Sequence, residues 1–102
     1  EDWSSEEREK IQILILGAFI TLGEILIDEN PIESIRLAHN ALSVDPTWED
    51  AYRLQMSAYL QKGNRPQAIK TYEKCASVLK EEYGIEPLPE TKKLLQDIME
   101  IH

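Results

Sequence analysis

The sequence predicts an all-α domain, an α-α superhelix of two helix pairs closed by one further helix. Three observations predict it. Apolar residues recur at helical spacing, and no segment alternates with the period of a strand. An offset of thirty-four residues aligns small or apolar positions: Ala18 falls on Tyr52, Leu22 on Met56, Ile25 on Tyr59, Ser34 on Ala68, Ala38 on Tyr72 and Ala41 on Cys75. Residues that stop and start helices, among them Asn30-Pro31, Gly63-Asn64 and Gly84, fall at the seams.

The first helix begins near Ser4, where "SSEE" supplies a Ser-x-x-Glu capping box, and stays apolar to about Ile27. In "ENPIE", Asn30 is a cap, Pro31 suits the first helical position and Glu33 follows three residues after the cap. Ile32, Ile35, Ala38, Ala41 and Leu42 then form the stripe of a second helix. "DPTWED" ends it and opens a third, which carries Tyr52, Met56 and Tyr59. "KGNRPQ" is the next turn: Gly63 tolerates a left-handed stop, and Asn64 with Gln67 forms another box. The fourth helix carries Ala68, Tyr72, Cys75, Ala76, Leu79 and Tyr83. Gly84 suits its left-handed end, with Ile85 folding back on the last turn. Pro87 blocks continuation, and Pro89 starts a last helix with Leu94, Leu95, Ile98 and Ile101 on one side, a cap over the second pair. The reading is one domain over 1–102: a first unit at about 5–46, a second at about 47–83 and a capping helix at about 89–101. Without an initiating Met, it reads as a segment of a longer protein.

The chain has 102 residues and a net charge of −8, with eleven Lys and Arg scattered singly or in pairs. That disfavours direct nucleic-acid contact, which needs clustered cations to neutralise phosphates. A single cysteine excludes an internal disulfide and fits a reducing compartment, so a cytoplasmic location is expected. The longest uncharged run, Ile11 to Gly23, is too short to cross a bilayer, and the acidic start "EDWSSEEREK" is unlike a signal peptide.

Catalytic, metal and cofactor sites are not expected. Cys75 lies on an apolar stripe, at the place Ala41 fills in the first unit, and reads as a buried packing residue rather than a nucleophile. His39 and His102 have no ligand spacing to it. The acidic pairs Glu81-Glu82 and Glu49-Asp50 read as solvated faces, the second also favouring a helix N-terminus. No Gly-rich phosphate loop and no Ser/His/Asp set is present.

The first helix is apolar on two sides. Ile11, Leu14, Ala18, Leu22 and Ile25 match the inward positions of the second unit. Ile13, Leu16, Ile20 and Ile27 make a second stripe, whose counterparts Thr47, Asp50, Leu54 and Gln61 are mostly polar. The second stripe is the candidate protein-contact surface, to be covered by the last helix, by an upstream domain or by a second copy in a homodimer. On this reading Ile20→Asp lowers self-association without unfolding the second unit.

Helix pairs with Tyr59, Gly63, Ala68 and Tyr72 at these spacings resemble the tetratricopeptide repeat. The first unit departs from it in having Ser34 where Ala is usual and one residue fewer between Leu22-Gly23 and Ser34. More narrowly, the chain resembles the bacterial transcriptional activator domain of SARP-type regulators. The resemblance rests on Asp45, Pro46, Glu49 and Ala51; on Gly63 and Arg65; and on the tail Tyr72, Cys75, Leu79, Glu82, Gly84, Pro87, Pro89, Glu90 and Thr91. Asp2, Trp3 and Arg8 fit the family's opening, while Leu88 replaces a common small polar cap and should weaken the last helix's start. The resemblance implies a non-catalytic regulatory module beside a winged-helix DNA-binding domain, acting through protein contacts with itself or with that domain. The alternative it leaves open is a stand-alone adaptor holding a peptide in its concave groove. Phe19, Gly23, Arg53 and Ser57 occupy the groove positions that tetratricopeptide domains use to clamp a terminal carboxylate. Only Arg53 suits that clamp, so the clamp is not expected, and a groove for some other peptide stays open.

Overall fold

The computed structural model describes residues 4–101, so Asp2, Trp3 and His102 lie outside the described region. Five helices follow one another: α1 (Ser5–Leu26), α2 (Pro31–Val44), α3 (Glu49–Gln61), α4 (Arg65–Tyr83) and α5 (Pro89–Met99). The capping residues act where the sequence places them. Ser4 Oγ accepts the Glu7 N–H at 3.1 Å, and the Asn30 and Asn64 side-chain oxygens accept from Glu33 and Gln67, each at 3.2 Å. Gly84 ends α4 at φ 65°, a left-handed geometry that lets its N–H reach the Lys80 carbonyl at 2.9 Å. The last helix stops at Met99, so Ile101 lies beyond it and is exposed rather than part of its apolar side.

Successive helices pack on one another, α1 also touches α3, and α5 touches both α3 and α4. α5 therefore stands to α3 and α4 as α3 stands to α1 and α2. The result is an α-α superhelical stack of two pairs and a closing helix. Its first core joins Leu16 and Ile20 of α1 to Ala38 and Ala41 of α2 and to Ala51 and Leu54 of α3. A second core sets Met56, Ala68 and Ile98 together, drawing α5 onto the second pair. Between them Tyr52, Cys75 and Leu79 form a third cluster, against which Leu42 rests.

The α1 faces are the reverse of the sequence expectation. Leu16, Ile20 and Gly23 are buried, with Phe19 and Ile27 packed against the same core. Of the four residues expected to face outward, Leu16 is 1 % and Ile20 8 % exposed, Ile27 is half-buried, and only Ile13 is open to solvent. The stripe expected inside is outside: Leu14 and Ile25 are 71 % and 70 % exposed, and Ile11, Ala18 and Leu22 accompany them.

The shorter first unit is the cause. Ser34 Oγ donates to the Gly23 carbonyl at 2.6 Å across a separation of 11 residues. In the second unit, the residue that shares a core with Ala68 is Met56, one position further back. α1 therefore aligns with α3 at an offset of thirty-three, which brings Phe19 onto Tyr52, Gly23 onto Met56 and Leu26 onto Tyr59. Keeping thirty-four turns the helix by about 100°, enough to exchange its faces. Gly23 also leaves room for α3, since a methyl there would collide with Leu54 Cδ2.

Candidate functional site

Three regions carry the residues that sequence reasoning singled out. The first is the junction where the two motif segments meet. Asp45 holds the turn before α3, accepting from the Thr47 N–H at 3.0 Å and from the Thr47 hydroxyl at 2.7 Å. This aims Glu49, in the first turn of α3, at the start of α5. One oxygen of its carboxylate accepts the Leu88 N–H at 2.9 Å and the Thr91 hydroxyl at 2.6 Å. Thr91 Oγ1 in turn accepts from Arg53 at 2.8 Å, and Arg53 is also paired with Asp50. Leu88 supplies no side-chain cap of its own. Glu49 supplies it from another helix, so the expected weakness at the start of α5 is made good. Glu49 is thus a structural clasp rather than part of a solvated face, while Asp50 stays exposed and pairs with Arg53.

The second region is a concave groove of about 690 Å³ between α1, α3 and α5. Ile20, Ile27, Leu54 and Leu94 give it an apolar floor. Arg53 and Ser57 line it, but Phe19 packs into the first core instead, because the shift of α1 puts Ile20 and Glu24 at the groove positions. Both cations on its wall are engaged by carboxylates, Arg53 by Asp50 and Lys93 by Asp97, the latter at 3.6 Å. Glu24 and Glu90 add acid to the same wall. The groove therefore offers no uncommitted cation to clamp a carboxylate.

The third region is the outer stripe of α1, Ile11, Leu14, Ala18, Leu22 and Ile25, with Ile15 at its edge. Periodicity found this stripe in the sequence and assigned it to the core. Nothing in the described structure covers it.

Two buried groups, Cys75 and Tyr52, are held neutral. Burial pushes the Cys75 thiol up to about 12, assisted by the negative field of Glu49. Burial likewise pushes the Tyr52 phenol to about 12, while its hydroxyl donates to the Pro46 carbonyl at 2.7 Å. A thiol so buried and protonated is suited to packing. Among the described residues, no cluster of three His, Cys, Asp or Glu side chains is placed to hold a metal ion. No described helix is long and apolar enough to cross a membrane.

Comparison with known proteins agrees with the motifs that meet at Glu49. No curated protein and no solved structure gave a significant match. The family model described as the bacterial transcriptional activator domain matches residues 1–99. On that match the chain belongs to the bacterial transcriptional activator domain family.

Proposed function

We propose that this domain regulates transcription through protein contacts and performs no catalysis. It acts as the helical part of a cytoplasmic bacterial activator whose DNA is held by a winged-helix domain joined upstream. The stack sets the spacing of DNA-binding domains by self-association, or docks on them to gate their activity. The observation that carries this reading is the bare apolar stripe on α1 in a member of an activator-domain family. Large apolar side chains in a contiguous exposed row are a recurrent mark of a protein-contact surface. The net charge of −8 fits a module that leaves phosphate contacts to another domain.

A second reading, a peptide adaptor, draws on the apolar floor of the groove. One experiment separates the two. In an intact regulator driving a reporter, Leu14→Asp with Ile25→Asp should cut activation at least tenfold while helix content holds. Ser57→Arg, which fills the groove, should leave activation within twofold. The reverse pattern replaces the first reading with the adaptor, and full activation by both variants removes both.

A further inference from the structure

We infer that the occupant of the outer α1 stripe is the same stripe of a second copy, laid antiparallel about a two-fold axis at Ala18. This rests on the proposal that the domain works through protein contacts, and it names the partner and the geometry. The exposed residues read Ile11, Leu14, Ala18, Leu22, Ile25. Their spacings are three, four, four and three, and the residue types are the same from either end. At about 100° per residue all five stay within about 40° of a single line along the helix. A two-fold antiparallel pair matches each position i with 36 − i, so Ile11 meets Ile25, Leu14 meets Leu22, and Ala18 meets itself. An isologous contact requires that kind of self-complementary patch.

The detail at the centre agrees. Alanine at the axis is the small residue that lets two helices approach at about 8 Å. Glu6, Glu7, Arg8, Glu9 and Lys10 flank the stripe at its first end. Asp28 and Glu29 close its last end. Pairing i with 36 − i sets Arg8 against Asp28 but Glu7 against Glu29, so the apolar row, and not the flanking charge, carries the antiparallel register. The five side chains present on the order of 500 Å² per copy, about 1,000 Å² for the pair, which reaches the lower bound of a specific interface. The contact is accordingly a reversible one, suited to a regulator.

Cysteine cross-linking of the full chain tests both partner and register, since the native Cys75 is fully buried and stays out of the chemistry. Under mild oxidation at about 50 µM, Ala18→Cys should form a disulfide-linked dimer at least tenfold faster than Ile13→Cys, an exposed position off the stripe. Ile11→Cys should cross-link to Ile25→Cys in a mixture faster than to itself. Leu14→Asp should abolish the Ala18→Cys product and hold the chain at its 11.8 kDa monomer mass in sedimentation. Equal rates at Ala18 and Ile13, or preferred Ile11 self-linking, overturn the antiparallel pair. Loss of activation by the stripe variants in a chain that never cross-links would leave the contact function standing with a different partner.

Discussion

The Glu49 carboxylate accepts the Thr91 hydroxyl hydrogen bond at 2.6 Å, tying the first turn of α3 to the first turn of α5 across 42 positions of chain. Glu49 is 11 % exposed, and removing it leaves the Leu88 N–H uncapped and Arg53 short of a neighbouring carboxylate. Glu49→Ala should therefore cost about 2–3 kcal/mol, the loss of a cap together with a mostly buried acceptor. Glu49→Gln keeps an acceptor and should cost about 1 kcal/mol. Urea midpoints measure the totals. Amide exchange should localise the early opening to α5, and uniform protection along the chain would contradict the clasp.

Gly23 and Leu54 should be coupled. Gly23→Ala gains roughly 1 kcal/mol of helix preference but drives a methyl into the Leu54 side chain, an overpacking cost of about 1–3 kcal/mol. The net change should be a loss of about 1 kcal/mol. In a Leu54→Ala background the clash is gone, and the same substitution should stabilise by about 1 kcal/mol. A double-mutant cycle with no change of sign would show that the layers relax more easily than their contact implies.

The two α1 faces should respond oppositely to charge. Ile20→Asp places a carboxylate among Leu16, Ala38 and Leu54 and should destabilise by more than about 3 kcal/mol. Leu14→Asp alters a side chain that is 71 % exposed and should change monomer stability by less than about 1 kcal/mol. Thermal melts at low concentration distinguish them. Equal effects would mean that α1 is turned differently from the arrangement described.

Stability should decline in alkali. Folding raises Cys75 from 9.0 to about 12 and Tyr52 from 10.0 to about 12. The unfolded chain therefore sheds these protons first as pH rises. Between about pH 9 and 12 the unfolded state binds fewer protons, and the unfolding free energy falls with pH. The contribution is fully present below pH 9 and is lost toward pH 12. Cys75→Ala should flatten the first part of that decline, which denaturant titrations from pH 8 to 11 would record.

Much of the architecture was legible because its signals are local. Ser4, Asn30 and Asn64 cap helices whose amides lie three residues away, and Gly84 declares a left-handed stop by needing no neighbour. The α1 orientation was not legible from an offset alone. A one-residue deletion in the α1–α2 turn leaves every helical period intact while rotating one helix against the rest. The missing residue was visible between Gly23 and Ser34, but its angular consequence appears only when Gly23 is seen against the second pair. Glu49 escaped for a different reason. Its proton donors lie 39 and 42 residues away, beyond any pattern a window can register. The groove illustrates a third limit: Arg53 is a cation by sequence, yet its guanidinium is already spent on Asp50 and Thr91.

The position of α5 limits how a stack of this kind can be lengthened. It sits where the leading rod of another unit would land, and its berth is fixed by Ile98 on one side and by the Glu49 clasp on the other. Splicing in an additional module behind Tyr83 would evict α5 and strip Met56 and Ala68 of their lid. An insertion between Tyr83 and α5 is thus barred by a plug, and further helices can be laid on only ahead of α1 or behind α5.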